Sequence, residues 1–316
     1  NVCLNCTILN FDIEDYLENK LYKNADNGQF GLNRRVFSVP FPSLHRWNEN
    51  YSPYVSFTNL RIPLSKSTLS HFSVNILKNY SRPIFVSFWG STFVWYKPAT
   101  IVRNHLVENC KSHPRYCYYL PSINRLQNSA VQNLSAIEVY SNSVFCFQPS
   151  GDLESRKGIF DSFSVGCIPV ICTNGLLNKT YPWYFTKEDE RKTSVYIPHS
   201  IITKGVDVIK DILLKIPIEV IQQKRESIEL ISKSLQYAVP PDRMKGYIGY
   251  GGSTGEFDGK KRWRPPFYDA IDGIIDNMSK ISRRYKESGT ISEDEAPNKV
   301  SRWDYLWIDN PVPRNS

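Results

Sequence analysis

At 316 residues, with 41% hydrophobic and 13% aromatic side chains, the chain has the apolar content for buried cores and a length typical of about two domains. No run approaches the roughly 20 apolar residues of a membrane-spanning helix. The net charge of +8 is dispersed, with basic clusters only at 260–264 and 282–286; this argues against a nucleic-acid binder and suits an anionic substrate such as a nucleotide diphosphate.

The first 80 residues are irregular. A strand is expected at 36–40, followed by a Pro-rich turn holding His45, and no complete Rossmann-like half is visible. From about residue 81 the pattern alternates. Strands are expected at 83–88, 116–120, 144–147, 168–171 and 194–197, and helices at 99–110, 128–141 and 155–166. Further helices follow at 206–214 and 218–237, the second opening on Pro217. Short, wholly apolar strands alternating with helices predict an α/β fold, a Rossmann-like parallel sheet covered on both faces. Residues 240–266 are rich in Gly and Pro and predict a long irregular loop, read either as an insertion or as a lid over a site. A helix is expected over 268–285 with Ile271, Ile274, Ile275, Met278 and Ile281 on one face, then an ordered tail packed on the body. The domain reading is 1–80 as a reduced or partial acceptor-side unit, 81–290 as the nucleotide-binding unit, and 291–316 as the tail. The opening residues carry neither an initiator Met nor a signal-like apolar core, which is compatible with a mature or trimmed form from which an anchor could have been cut away.

Seven Cys cannot all pair within one chain. Cys110 and Cys117 flank a short basic loop and could form a disulfide, whereas Cys146, Cys167 and Cys172 lie in apolar segments and read as small buried hydrophobes. Cys3 and Cys6 have metal-like spacing but no second ligand pair. Sequons at Asn5, Asn50, Asn79, Asn133, Asn178 and Asn277 favour a secretory origin only weakly.

Ser143-Val-Phe-Cys-Phe-Gln-Pro-Ser-Gly-Asp152, then Ser155-Arg156 and Phe160-Asp161, then Gly166-Cys-Ile-Pro-Val-Ile171, is the most informative segment. It reads as a strand, a loop, a helix N-terminus with an Arg in its first turn, and a second strand. A helix N-terminus presents free backbone N–H groups and the positive end of the helix dipole. Arg156 adds a planar, permanently charged fork that matches diphosphate oxygens. Ser155 can cap the helix or bind phosphate. Asp161, one turn on, could hold Arg156 or accept from a ribose hydroxyl. Gly166 and Pro169 read as structural, ending the helix and setting the turn into the strand.

These residues resemble the signature of the exostosin-like, GT47-like glycosyltransferase family: S-x-F-C-L-x-P-x-G-D, S-x-R-x-F-D, then G-C-I-P-V-I. Weaker likenesses at Val39-Pro40, Phe88-Trp-Gly90, Ser194-Val-Tyr-Ile197 and Asp269-Ala270 keep the family's order. The resemblance implies a GT-B-like architecture, a Rossmann-like C-terminal nucleotide-sugar domain with a reduced N-terminal acceptor domain. It also implies inversion at the anomeric carbon and a UDP-sugar donor, with no required metal or other cofactor. No D-x-D motif follows a strand; Asp12-Ile-Glu14 and Glu188-Asp-Glu190 read as solvated turns or helix starts.

On this reading the donor contacts are Gly90, Ser91, Ser150, Gly151, Asp152, Ser155, Arg156 and Asp161. Arg156 stabilises the leaving diphosphate, and His45 is the best-placed general base. Xylose is the first choice of transferred sugar. The partners implied are a nucleotide-sugar and a glycan acceptor, with no nucleic acid and no membrane segment in the chain; association with other glycosyltransferases stays open. The resemblance implies the Golgi lumen, with the anchor absent from this chain; the alternative is a soluble cytoplasmic protein if it is virus-encoded or otherwise anchor-free. The alternative is a non-catalytic GT-B-shaped subunit that binds glycan or stabilises a partner enzyme.

Overall fold

A computed structural model of the chain describes residues 8–10, 36–43, 82–121, 136–152, 154–238 and 267–288. His45, the Cys3/Cys6 pair, the glycine-rich loop and the C-terminal tail lie outside these residues, as does most of the 1–80 unit.

Two short strands, β1 (Ile8–Asn10) and β2 (Val36–Ser38), pair in parallel as a separate small sheet. The main sheet starts with β3 (Ile84–Trp89), followed by α1 (Lys97–Ser112) and β4 (Cys117–Leu120). A helical turn at 136–141 leads into β5 (Ser143–Gln148). Next come α2 (Lys157–Ser164), β6 (Ile168–Ile171), α3 (Leu176–Thr180), α4 (Lys187–Thr193) and β7 (Val195–Tyr196). After α5 (His199–Thr203), a π-helical turn at Val208–Ile212 and a 3-10 turn at Leu213–Lys215 stand where a continuous helix was expected. The chain closes with α6 (Ile218–Ser232), whose N-cap is Pro217, and α7 (Ala270–Ser288).

The five main strands are ordered β4-β3-β5-β6-β7 and all pairings are parallel. Phe85, Phe88, Phe145, Phe147 and Val170 pack with Val102 and Leu106 of α1 and with Ile159 and Phe163 of α2. Ile84, Cys146, Val165 and Cys167 pack with Ala136, Ile137, Val139 and Tyr140 on a second, smaller cluster. Every residue of β5 is buried, so its centre, Val144 to Phe147, is an apolar run with no alternation. The segment after β2 joins this body: Phe41 meets Phe160 at 6.1 Å between ring centroids, and the Tyr237 hydroxyl donates to the Pro40 carbonyl at 2.8 Å.

Helix α1 bears on the site because it carries Arg103. Pro98 sits in its first turn, where a missing N–H is harmless, and Ala99, Val102, Leu106, Val107 and Cys110 form its buried stripe. Its far end is pinned three times. Cys110 and Cys117 form the expected disulfide, His113 Nε2 meets Asp207 Oδ2 at 2.5 Å, and Asn109 Oδ1 accepts from Val208 N–H at 2.7 Å. Burial alone would raise the Asp207 carboxyl, but the Lys210 N–H and His113 outweigh it and hold it below its ordinary range.

Three expectations need correction. Cys146 and Cys167 do not pack as separate hydrophobes; they form a disulfide, because the parallel register sets Phe145 opposite Ile168 and brings the two sulfurs together. The helix expected at 155–166 spans only Lys157–Ser164, since Arg156 is extended at φ −148° and ψ 142°; Gly166 ends the turn with φ 68°, as expected. On α7, Ile274 is buried but Ile271, Ile275 and Met278 are exposed, so only part of its apolar face is covered.

Arg82, buried at the opposite end of the sheet from the site, donates through Nη1 to the Tyr140 and Ser143 carbonyls at 2.9 Å each and through Nη2 to the Val165 carbonyl. Arg82→Leu leaves these carbonyls without that donor. At about 1–3 kcal/mol for each buried unsatisfied group, urea unfolding should show a loss of roughly 3 kcal/mol or more. A loss below about 1 kcal/mol would mean that Arg82 does not hold this edge.

Candidate functional site

The sheet order creates the site. Strands β3 and β5 are neighbours, yet the chain leaving β3 crosses to β4 on one side and the chain leaving β5 crosses to β6 on the other. The connections therefore diverge and open a crevice at the carboxyl ends of the strands, the usual ligand position in such sheets. One wall is the loop 90–96 after β3; the other is the loop 149–156 after β5.

Arg103 joins these two walls. It is 1% exposed. Its Nε donates to the Ser150 carbonyl at 2.8 Å, Nη1 to the Ser91 carbonyl at 2.7 Å and Nη2 to the Pro149 carbonyl at 3.3 Å. Its guanidinium also lies 5.9 Å from the centroid of Phe88. Burial first, and the neighbouring Arg156 second, work against its charge.

Arg156 is half-buried and reaches the same place, with Nη1 donating to the Pro149 carbonyl at 3.0 Å. Burial likewise disfavours its charged form. Two nitrogens sharing one acceptor at these distances lie within about 6 Å of each other. At an effective dielectric of about 20, two unit charges at that spacing repel by about 3 kcal/mol. Among the described residues neither guanidinium is in an ion pair. A Cβ on Gly90 would stand 3.2 Å from Arg103 Nη1 and 3.6 Å from Arg156 Nη2, and Gly90 has φ +155°. The missing side chain keeps open a space with a cation on each side. The N-terminus of α2 follows directly on Arg156 and adds its positive dipole end. An anion carrying two charges would relieve the repulsion and accept donors from both guanidiniums.

The other expected residues divide into two groups. Gly90, Ser91, Ser150, Gly151, Asp152 and Arg156 border the crevice. Ser91 supplies its carbonyl to Arg103, and its Oγ accepts from Phe93 N–H at 3.0 Å. Asp152 Oδ1 accepts from Trp95 N–H at 2.6 Å, which ties one wall to the other. Ser150 Oγ donates to Glu154 at 3.3 Å and lies 3.4 Å from His199 Nε2, while the Thr173 hydroxyl donates to the same Glu154 oxygen.

Ser155 and Asp161 are turned elsewhere. Ser155 does not cap α2; it is buried with its hydroxyl against that of Tyr181. Asp161 does not meet Arg156. It accepts from Lys157 Nζ at 2.5 Å and from Ser43 Oγ at 2.7 Å, so it binds the segment after β2 to the body. Arg103, Glu154 and His199 were not expected. Nearby Cys172 is buried, and burial with the Glu154 charge pushes its thiol up to about 12. Among the described residues no three His, Cys, Asp or Glu side chains converge as metal ligands, and no helix is long and apolar enough to cross a membrane.

The Exostosin GT47 domain model matches residues 28–212, which include β2 to β7 and both arginines. The chain belongs to the exostosin GT47 family. Its parallel sheet with helices on both faces agrees with the α/β, GT-B-like class of the exostosin fold. The chain is 30% identical over 232 residues to the "Probable xyloglucan galactosyltransferase GT15" of Arabidopsis thaliana, covering 72% of this chain and 47% of that protein. It is 32% identical over 180 residues to the xyloglucan-specific galacturonosyltransferase 1 (57% of this chain, 24% of that protein) and 33% identical over 156 residues to the xyloglucan galactosyltransferase MUR3 (49% and 22%), both from Arabidopsis thaliana. The chain thus spans about half or less of the length of these curated relatives.

Gly90→Ala in this exostosin domain forces an L-residue to φ +155° and a methyl against Arg103. Backbone strain of this kind is worth roughly 1–3 kcal/mol, which urea unfolding should register. Wild-type stability would show that the two walls move apart without cost.

Proposed function

We propose that this chain is the donor-binding part of an inverting glycosyltransferase that transfers galactose or galacturonic acid from a UDP-sugar to a glycan hydroxyl. The observation that carries this reading is the pair of guanidiniums flanking Gly90 at the β3/β5 switch point of a GT47-matched sheet. The activities for which the relatives are named, galactosyl and galacturonosyl transfer, support these two sugars over the xylose that the motifs alone suggested.

In the transfer, the acceptor hydroxyl attacks the anomeric carbon from the face opposite the diphosphate. Its proton passes to a base, and the bond to the diphosphate oxygen breaks. Negative charge grows on the leaving diphosphate as that bond opens. Arg156, whose side chain makes a single hydrogen bond among the described residues, keeps donors to meet the growing charge, and the α2 N-terminus lies behind it. Arg103 fixes the carbonyls around the same space, so that the donors are already in place before reaction. An interaction that strengthens in the transition state raises kcat more than it lowers KM.

The test is UDP release by the purified chain from UDP-galactose, UDP-galacturonic acid and UDP-xylose, with xyloglucan oligosaccharide as acceptor. Turnover is expected with one of the first two donors. Arg156→Ala should lower kcat by two to three orders of magnitude, about 3–4 kcal/mol. Arg156→Lys should recover little, since a point charge replaces a fork. UDP binding without turnover of any donor would favour the non-catalytic subunit, and wild-type kcat in Arg156→Ala would remove Arg156 from the mechanism.

A further inference from the structure

The loop that forms the β3 wall exposes two aromatic rings. Phe93 is 61% exposed and Trp95 is 72% exposed, and their rings meet edge to face with centroids 5.9 Å apart. Single exposed hydrophobics are ordinary. A pair is more informative when the backbone beneath it is fixed, and here it is. Phe93 N–H donates to Ser91 Oγ, Val94 exchanges hydrogen bonds in both directions with the Thr100 hydroxyl of α1, and Trp95 N–H donates to Asp152. The rings are thus held at the rim of the crevice, one hydrogen bond from the loop that carries Arg156.

We infer that Phe93 and Trp95 form a carbohydrate-stacking platform that receives the acceptor glycan, an inference that rests on the reading of the crevice as a donor site. A pyranose ring carries C–H groups on its faces and hydroxyls around its edge. It therefore packs flat on an aromatic ring while its hydroxyls stay in water, and it loses little side-chain entropy because Trp and Phe each have only two side-chain torsions. The rings stand at 67° to each other, so a pyranose unit packs flat on one ring while the other borders it at the side.

Size and openness favour this occupant. A stable protein interface covers about 800 Å² on each partner, several times what two exposed rings offer. A nucleotide in its own pocket has about 70–90% of its surface covered, whereas these rings stand open to solvent as an extended polymer requires. Attachment to Asp152 supplies the link to chemistry: a glycan lying on the rings has its hydroxyls beside the space between Arg103 and Arg156.

The experiment is calorimetric titration of the full chain with xyloglucan oligosaccharide in the absence of donor, and separately with UDP. Trp95→Ala and Phe93→Ala should each weaken the glycan about tenfold or more, while Trp95→Phe, which keeps a stacking face, stays within about threefold of wild type. UDP affinity should change less than twofold in all three. Both side chains are largely in water, so their removal leaves the fold standing, and an unchanged melting temperature checks this. The inference is overturned if wild type does not bind the oligosaccharide at millimolar concentration or if the Ala variants bind it as wild type does. A parallel fall in UDP affinity overturns it in another way, by making the rings a platform for the base. Glycan binding that depends on the rings, with no donor turnover, would keep the platform and count against the transferase reading alone.

Discussion

The bonds from Arg103 to the carbonyls of Ser91, Pro149 and Ser150 hold together a place where the fold would otherwise come apart. At a topological switch point the two connections run in opposite directions, and no strand pairing continues between them. A buried guanidinium has donors arranged in a plane wide enough to reach carbonyls on both walls, which no neutral side chain offers. The walls are then close enough for Asp152 to take the Trp95 N–H, and Gly90 is the residue that fits beneath. The arrangement places a second cation, Arg156, beside the first at an electrostatic cost that an anionic ligand would offset. The rest of the fold keeps Arg103 in position: α1 is pinned at its far end by a disulfide and by the hydrogen bonds of His113 to Asp207 and of Val208 to Asn109, and on its buried stripe by the phenylalanines of β3 and β5.

Much of the five-stranded sheet was legible in the sequence. Strands buried on both faces are short apolar runs, and 83–88, 144–147 and 168–171 fall within a residue or two of β3, β5 and β6. The boundaries of α2 were not legible, because the choice between helical and extended backbone at Arg156 depends on its reach to Pro149 in the folded loop. The π-helical turn at Val208–Ile212 likewise keeps helical periodicity in its sequence while its Val208 N–H is taken by Asn109, 99 positions away.

The site was legible in part for a similar reason. Arg156 stands in a motif and can be found by it. Arg103 sits in an amphipathic helix, where a lone Arg reads as part of the solvated face; its partners are 12, 46 and 47 residues away and come together only through the parallel register. The same register pairs Cys146 with Cys167, two residues whose apolar neighbours suggest simple packing. Asp161 shows the opposite error. Its spacing from Arg156 suggested a shared role, but Lys157 and Ser43 claim both of its oxygens.

The central claim is that the crevice recognises a diphosphate by its charge. Calorimetric titration with uridine, UMP and UDP at equal, low ionic strength tests it with no assumption about sugar or acceptor. Affinity should rise stepwise from uridine to UMP to UDP, with each phosphate contributing about tenfold or more, and the UDP affinity should fall as salt is raised. Equal affinities for uridine and UDP would contradict the account, since the two guanidiniums would then be holding loops and not a ligand.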